Sequence, residues 1–98
     1  MKLDLQSIVQ ITRGSLTPAK ARGSVSGIST DSRTTQPGDL FVPLRGPNFD
    51  GHDFLLQAAR NGAAACLSEE VIAGFPVPVI RVQDALKALG DLAAARRQ

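Results

Sequence analysis

Between Gly27 and Phe54 the chain reads GISTDSRTTQPGDLFVPLRGPNFDGHDF, and the residues best suited to chemistry gather there. A first loop, STDSR, offers the hydroxyls of Ser29, Thr30 and Ser32, with Thr34 just beyond, and the guanidinium of Arg33. A second, LRGPNFDG, offers Arg45 and the ring of Phe49. Hydroxyls and backbone N–H groups suit the edge of a polar planar group, and a guanidinium suits an anion. The face of Phe49 suits a flat ring. Together they fit a ligand that joins a planar polar group to phosphate. The same residues also suit two plain turns held by Asx and Ser/Thr side-chain bonds, and residue chemistry leaves both readings open.

The segment DGHD brings the one histidine, His52, between Asp50 and Asp53. A carboxylate-supported imidazole can act as acid, base or metal ligand. The favoured reading is a helix start, with Asp50 as N-cap, both carboxylates complementing the helix dipole, and His52 exposed on the first turn. On that reading His52→Ala should change little. A metal site lacks a third ligand. Other chemistries are missing by motif. GSLTPAK lacks the second glycine of a phosphate-binding loop, GSVSG has Val25 where a nucleophilic serine would stand, and no G-x-G-x-x-G occurs. The single cysteine, Cys66, lies in the apolar run GAAACLSEE, which excludes an internal disulfide and reads as a buried thiol.

The elements that must position the two loops follow from periodicity. Leu5, Ile8 and Val9 predict a short amphipathic helix over 4–12, capped by Asp4 and stopped near Gly14. SLTPAKARGS reads as loop. Val25 and Ile28, with Thr30 at the margin, suggest a short strand, Pro37-Gly38 a type II turn, and LFVPL, residues 40–44, a second strand in which Pro43 must face an edge or a bulge. A helix starts near Gly51, places Phe54, Leu55, Ala58 and Ala59 on its apolar stripe, and ends at Asn61-Gly62. AAACLS and VPVIRV read as buried strands. Val82, Ala85, Leu86, Leu89, Leu92 and Ala93 keep helical spacing to the end, with Leu86 and Leu89 on the buried stripe. Alternating strands and helices imply an α/β fold, a small mixed or parallel sheet of short strands flanked by helices. The final AAARRQ carries no helix stop signal and reads as a cut, or else as a frayed basic terminus.

A chain of 98 residues makes one domain, 1–98, and 43% hydrophobic with 20% charged residues is the balance of a folded domain. A net charge of +2, with no Trp and no Tyr, argues against a nucleic-acid partner. No apolar run nears the roughly 18–20 residues of a membrane span, so membrane insertion is not expected. MKLDLQSIVQ has Asp4 and Gln6 where a signal peptide needs an unbroken apolar core, which leaves the cytoplasm as the expected compartment.

The combination TDSR, four residues, GDLF, then G-x(3)-DGHDF and GAAA resembles the N-terminal domain of the Mur ligases of peptidoglycan synthesis. The resemblance covers nearly the whole chain. FVPLRGPNFDGHDF and the opening LDLQSIVQITRG are most similar to the type that adds D-alanyl-D-alanine to a UDP-N-acetylmuramoyl-tripeptide, with the type that adds the third amino acid next. It implies an uridine-diphosphate-holding domain of an ATP-dependent amide ligase. ATP and magnesium would then belong to a central domain, and with a C-terminal domain it would lie outside this chain, leaving residues 1–98 inactive alone. It further implies ligand contacts at Thr30 and Ser32, and at Pro47, Asn48 and Phe49, with Gly46 permitting close backbone approach. Arg33 and Arg45 join that set on chemical grounds. A non-catalytic module on the same scaffold is the rival.

Overall fold

Leu3–Asp4 forms β1, and Leu5–Thr12 forms helix α1. Asp4 caps α1 by accepting the Ser7 N–H at 2.7 Å, as its residue type predicts. The helix is closed by Arg13 in the left-handed region at φ 59°, one residue before the glycine expected there. Gly14 serves a different purpose. A Cβ on it would stand 2.6 Å from Ile80 Cγ2 and 2.8 Å from the Arg81 carbonyl oxygen, so the chain can cross the sheet edge at this point only without a side chain. The computed structural model describes residues 2–47 and 49–96, excepting the side chains of Phe49 and Arg96.

Short strands follow: β2 Ser15–Thr17, β3 Ser24–Val25, β4 Gly27–Ser29, β5 Asp39–Phe41, β6 Arg45–Gly46 and β7 Phe49–Asp50. One turn of 3-10 helix, Gly51–Phe54, leads into α2, Leu55–Arg60. Then come β8 Ala65–Ser68, β9 Val79–Arg81 and α3 Ala85–Arg96. Among the described residues the main sheet has five strands in the order β2-β9-β8-β5-β4. β4, β5, β8 and β9 run parallel, and β2 pairs antiparallel with β9. β1 pairs with β3 and β6 with β7, both antiparallel. The expected α/β class with a mixed sheet is therefore present, but Ser15–Thr17, read as loop, is an edge strand. The strand expected over 40–44 ends its ladder at Phe41, two residues before Pro43, which has no N–H to pair. Gln36 to Asp39 closes the predicted Pro37-Gly38 turn, with the Asp39 N–H on the Gln36 carbonyl at 3.1 Å and Gly38 at φ 90°.

Alternation along the central strands builds a core on each face. Leu40, Val42, Ala65, Leu67, Ile80 and Val82 join Leu5 and Ile8 of α1 and Ala85, Ala88 and Leu92 of α3. Phe41 and Cys66 face the other way, onto Leu55 and Ala58 of α2 and Ala63. Burial pushes the Cys66 thiol up to about 12, in keeping with an inert thiol. Leu86, expected on the buried stripe of α3, is 66% exposed. The inward face runs through Ala85, Ala88 and Leu92, and Leu86 lies about 100° around the helix from Ala85. No helix among the described residues is long and apolar enough to cross a membrane.

Candidate functional site

The carboxyl ends of β4 and β5 and the start of the α2 segment enclose a cleft of about 700 Å3, lined by Thr30, Asp31, Ser32, Arg33, Phe41, Gly51, Phe54 and Gln57. Ligands of parallel α/β sheets bind beyond the carboxyl ends of the strands, which is where this cleft lies. The loop after β4 is ordered by its own polar groups. The Asp31 carbonyl accepts the Ser29 hydroxyl at 2.9 Å, the Thr35 hydroxyl at 3.0 Å and the Thr34 N–H at 3.1 Å. Ser29 and Thr35 are buried and their hydroxyls lie 3.0 Å apart. Those residues hold the loop, leaving Thr30 and Arg33 exposed at its rim.

The Arg33 guanidinium folds back on its own loop. Its Nε–H donates to Asp31 Oδ1 at 3.2 Å and an Nη2–H to Oδ2 at 3.0 Å, while the Arg33 backbone N–H donates to Oδ1 at 2.9 Å. Two of the five guanidinium N–H groups are used in this way, and three remain for an anion. The Arg33 side chain, and then its backbone N–H, hold the Asp31 carboxyl below its ordinary value of 3.8. An acid lowered in the folded state contributes stability that is present above its ordinary pKa and lost as pH falls through the folded one. The loop should thus keep its order from neutral pH down through 5 and loosen only below about 4. The 13C shift of the Asp31 carboxyl should titrate below 3.8, and a midpoint at or above that value would show that the pair does not persist in solution.

Ser32 is buried and tied to the α2 segment rather than open. Its hydroxyl donates to Gln57 Oε1 at 2.7 Å, and Asn61 Nδ2–H donates to its carbonyl at 2.7 Å. Gln57, which lines the cleft, and Asn61, which holds Ser32 beside it, are thus candidate residues that sequence reasoning missed. Phe54, read as core, is 41% exposed and lines the cleft. The available signal was spacing, since Phe54 and Gln57 stand three apart at the head of a helix and share a face. Gly51 sits against the second loop. A Cβ there would lie 2.7 Å from the Leu44 nitrogen and 2.9 Å from Pro43 Cα, so no side chain can be added at this wall of the cleft.

The second loop is placed differently from the first. Arg45, Gly46 and Pro47 do not line the cleft, β7 pairs the Phe49 backbone with Gly46, and Asn48 lies outside the described residues. The Arg45 guanidinium instead bridges two carboxylates, with Nε 3.2 Å from Asp50 Oδ2 and Nη1 3.0 Å from Glu69 Oε1. Glu69 Oε2 accepts the Ala85 N–H at 2.8 Å, tying this brace to the first residue of α3.

His52 corrects the expectation of an exposed residue on a first turn: its side chain is 5% exposed. Nδ1 lies 2.7 Å from Asp50 Oδ1, and Nε2 accepts the Glu69 backbone N–H at 2.9 Å. With Nε2 accepting, Nδ1 carries the proton and donates to Asp50. Asp50 does cap the turn as expected, by taking the His52 N–H at 2.9 Å. That N–H, and then the ring, hold the Asp50 carboxyl below the usual range. Both ring nitrogens are engaged, so the imidazole is placed to join two segments and not to exchange protons with a ligand. Among the described residues no group of three or more His, Cys, Asp or Glu could hold a metal ion.

The sequence model described as "Mur ligase family, catalytic domain" matches residues 24–97. Over 101 residues the chain is 37% identical to the UDP-N-acetylmuramoyl-tripeptide–D-alanyl-D-alanine ligase of Bacillus subtilis strain 168, a match covering 100% of this chain and 22% of that protein. It is 47% identical over 73 residues to the UDP-N-acetylmuramoyl-L-alanyl-D-glutamate–2,6-diaminopimelate ligase of Gloeobacter violaceus, covering 72% of this chain and 15% of that one. A crystal structure of MurF from Acinetobacter baumannii superposes with a TM-score of 0.88 at 33% identity, over 99% of this chain and 21% of its own. The chain therefore spans between 15% and 22% of the length of these relatives.

Proposed function

The chain belongs to the Mur ligase family and has the fold of the MurF N-terminal domain, and from that premise we propose that it holds the uridine-diphosphate end of a UDP-N-acetylmuramoyl-tripeptide while the rest of a cytoplasmic, ATP-dependent ligase adds D-alanyl-D-alanine. The observation that carries this reading is the cleft itself, where Thr30, Ser32 and Arg33 stand with Phe54 and Gln57 beyond the parallel strand ends.

Each group has a task on this reading. The Ser32 hydroxyl and the Gln57 amide, already in contact, supply the donor and acceptor that a uracil edge requires. Phe54 offers an apolar surface to the base or ribose. Thr30 adds a hydroxyl at the rim, and the three remaining Arg33 N–H groups meet the diphosphate. Contacts from Gly46, Pro47, Asn48 and Phe49 rest on the family resemblance, and Arg45 acts by bracing that loop through Asp50 and Glu69. ATP and magnesium are bound elsewhere in the ligase, because this chain has no glycine-rich phosphate loop. Residues 1–98 alone bind and do not ligate.

Assay of the full-length protein tests the reading. With ATP, a UDP-N-acetylmuramoyl-tripeptide and D-alanyl-D-alanine it should release phosphate and form the pentapeptide product. The 47% identity to a diaminopimelate-adding relative supports a second reading, in which the third-position amino acid is the one added. Turnover with diaminopimelate or lysine and a UDP-linked dipeptide, but not with D-alanyl-D-alanine, would select it. No turnover with any of these acceptors would remove the ligase reading altogether.

A further inference from the structure

We propose that His52 is a positioning residue for this cleft: its ring, held between the Asp50 carboxylate and the Glu69 amide, fixes the turn that carries Gly51 and Phe54 onto the end of β8. The inference rests on the uridine-diphosphate reading above and adds to it a residue that makes no contact with the ligand.

The imidazole is one of the anchors that hold the turn. Asp50 and His52 flank Gly51, and the turn Gly51–Phe54 supplies Gly51 and Phe54 to the cleft. On its inner side the Gly51 N–H donates to the Leu44 carbonyl at 2.7 Å, which fixes its start to the segment between β5 and β6. A sideways tie to the end of β8 runs through the imidazole, since the Glu69 N–H finds its acceptor in His52 Nε2. Arg45 supplies a second tie between Asp50 and Glu69, but through long side chains with half the Arg45 side chain in solvent. An ion pair with one partner half in solvent holds position less firmly than a buried ring. The ring is short, planar and buried, with a donor on one nitrogen and an acceptor on the other.

Removing the ring frees the Glu69 N–H and one Asp50 oxygen to seek water, and lets the turn shift relative to Ser32 and Gln57, which are anchored separately. Glutamine can restore the pattern, because its amide N–H can reach Asp50 while its carbonyl accepts the Glu69 N–H. Asparagine is shorter and cannot span both partners as well.

The test is an amide-shift titration of the 98-residue chain with uridine 5′-diphosphate, comparing the parent with His52→Ala and His52→Gln. Leu89→Ala serves as control, since Leu89 packs against the α1–α3 core and weakens the fold without touching the turn. His52→Ala should raise Kd about three- to tenfold, His52→Gln should return it to within about twofold of the parent, and Leu89→Ala should leave it unchanged. Equal weakening by His52→Ala and Leu89→Ala would reduce the effect to general stability and overturn the inference. So would parent-like binding by His52→Ala. If the parent itself does not bind the probe, the uridine-diphosphate reading fails and takes this inference with it. Parent binding with unaffected variants leaves that reading standing and removes only the role of His52.

Discussion

Phe41→Ala should lower the stability of the fold by about 3–5 kcal/mol, the largest loss expected of any single change. Phe41 is 1% exposed and is the largest fully buried side chain among the described residues. It fills the core between the sheet and α2, against Leu55, Ala58, Ala63 and Cys66. Those neighbours are mostly small, so they cannot collapse into the space a ring leaves, and the cost of the cavity adds to the lost transfer energy. A domain of this size has on the order of 5–15 kcal/mol in all, and the variant would lose a large part of it. Urea unfolding should show a lower midpoint with an unchanged slope. Because the ring also floors the cleft, ligand binding should fall in the same variant. An unfolding free energy within about 0.5 kcal/mol of the parent would mean that this second core does not exist in solution.

Leu92→Ala and Leu86→Ala should behave as opposites although both lie on α3. Leu92 is fully buried between α1, α3 and the sheet, and its truncation should cost about 2–5 kcal/mol. Leu86 stands in solvent, and its truncation should stay within about 0.5 kcal/mol. Periodicity alone treats the two alike, because each falls on an arc of apolar positions wide enough to be called one stripe. The structure selects the arc through Ala85, Ala88 and Leu92, whose small residues let α3 sit close to the sheet. Thermal or urea unfolding of the pair decides the matter. A costly Leu86→Ala beside a harmless Leu92→Ala would show that the helix is rotated from the orientation described.

Local rules account well for what local forces decide. The Asp4 cap, the Pro37-Gly38 turn, the Asn61-Gly62 stop and the apolar runs of β8 and β9 each follow from residue type and neighbours, and each is found where expected. What escaped were choices made across the chain. Ser15–Thr17 is polar and brief, and it becomes a strand because β9 has a free edge beside it. His52 obeys the helix-start rule in sequence, but the burial of its ring depends on Glu69, which arrives from the far end of β8. Arg45 looked available for phosphate until Asp50 and Glu69 closed on it. The hydroxyl loop stood out by its chemistry with the site and plain-turn readings both open, whereas the ties that Gln57 and Asn61 make to it did not. A polar residue on a helix surface says nothing of the loop that will pack against it.

The central claim, that the cleft between Thr30–Arg33 and the α2 segment takes the uridine-diphosphate group, is tested most directly by titrating the chain with UDP-N-acetylmuramic acid and mapping amide shifts. Binding should be weak, with Kd on the order of 0.1 to several mM, or about 3–5 kcal/mol, because a half-covered ligand gains little beyond its immobilisation cost. Shifts should concentrate at Thr30–Arg33, Gly46–Gly51 and Phe54–Gln57, and Ser32→Ala should weaken them by removing the hydroxyl paired with Gln57. Shifts concentrated instead in the second cleft, around Arg13, Arg81 and Lys87 between α1 and α3, would contradict the account.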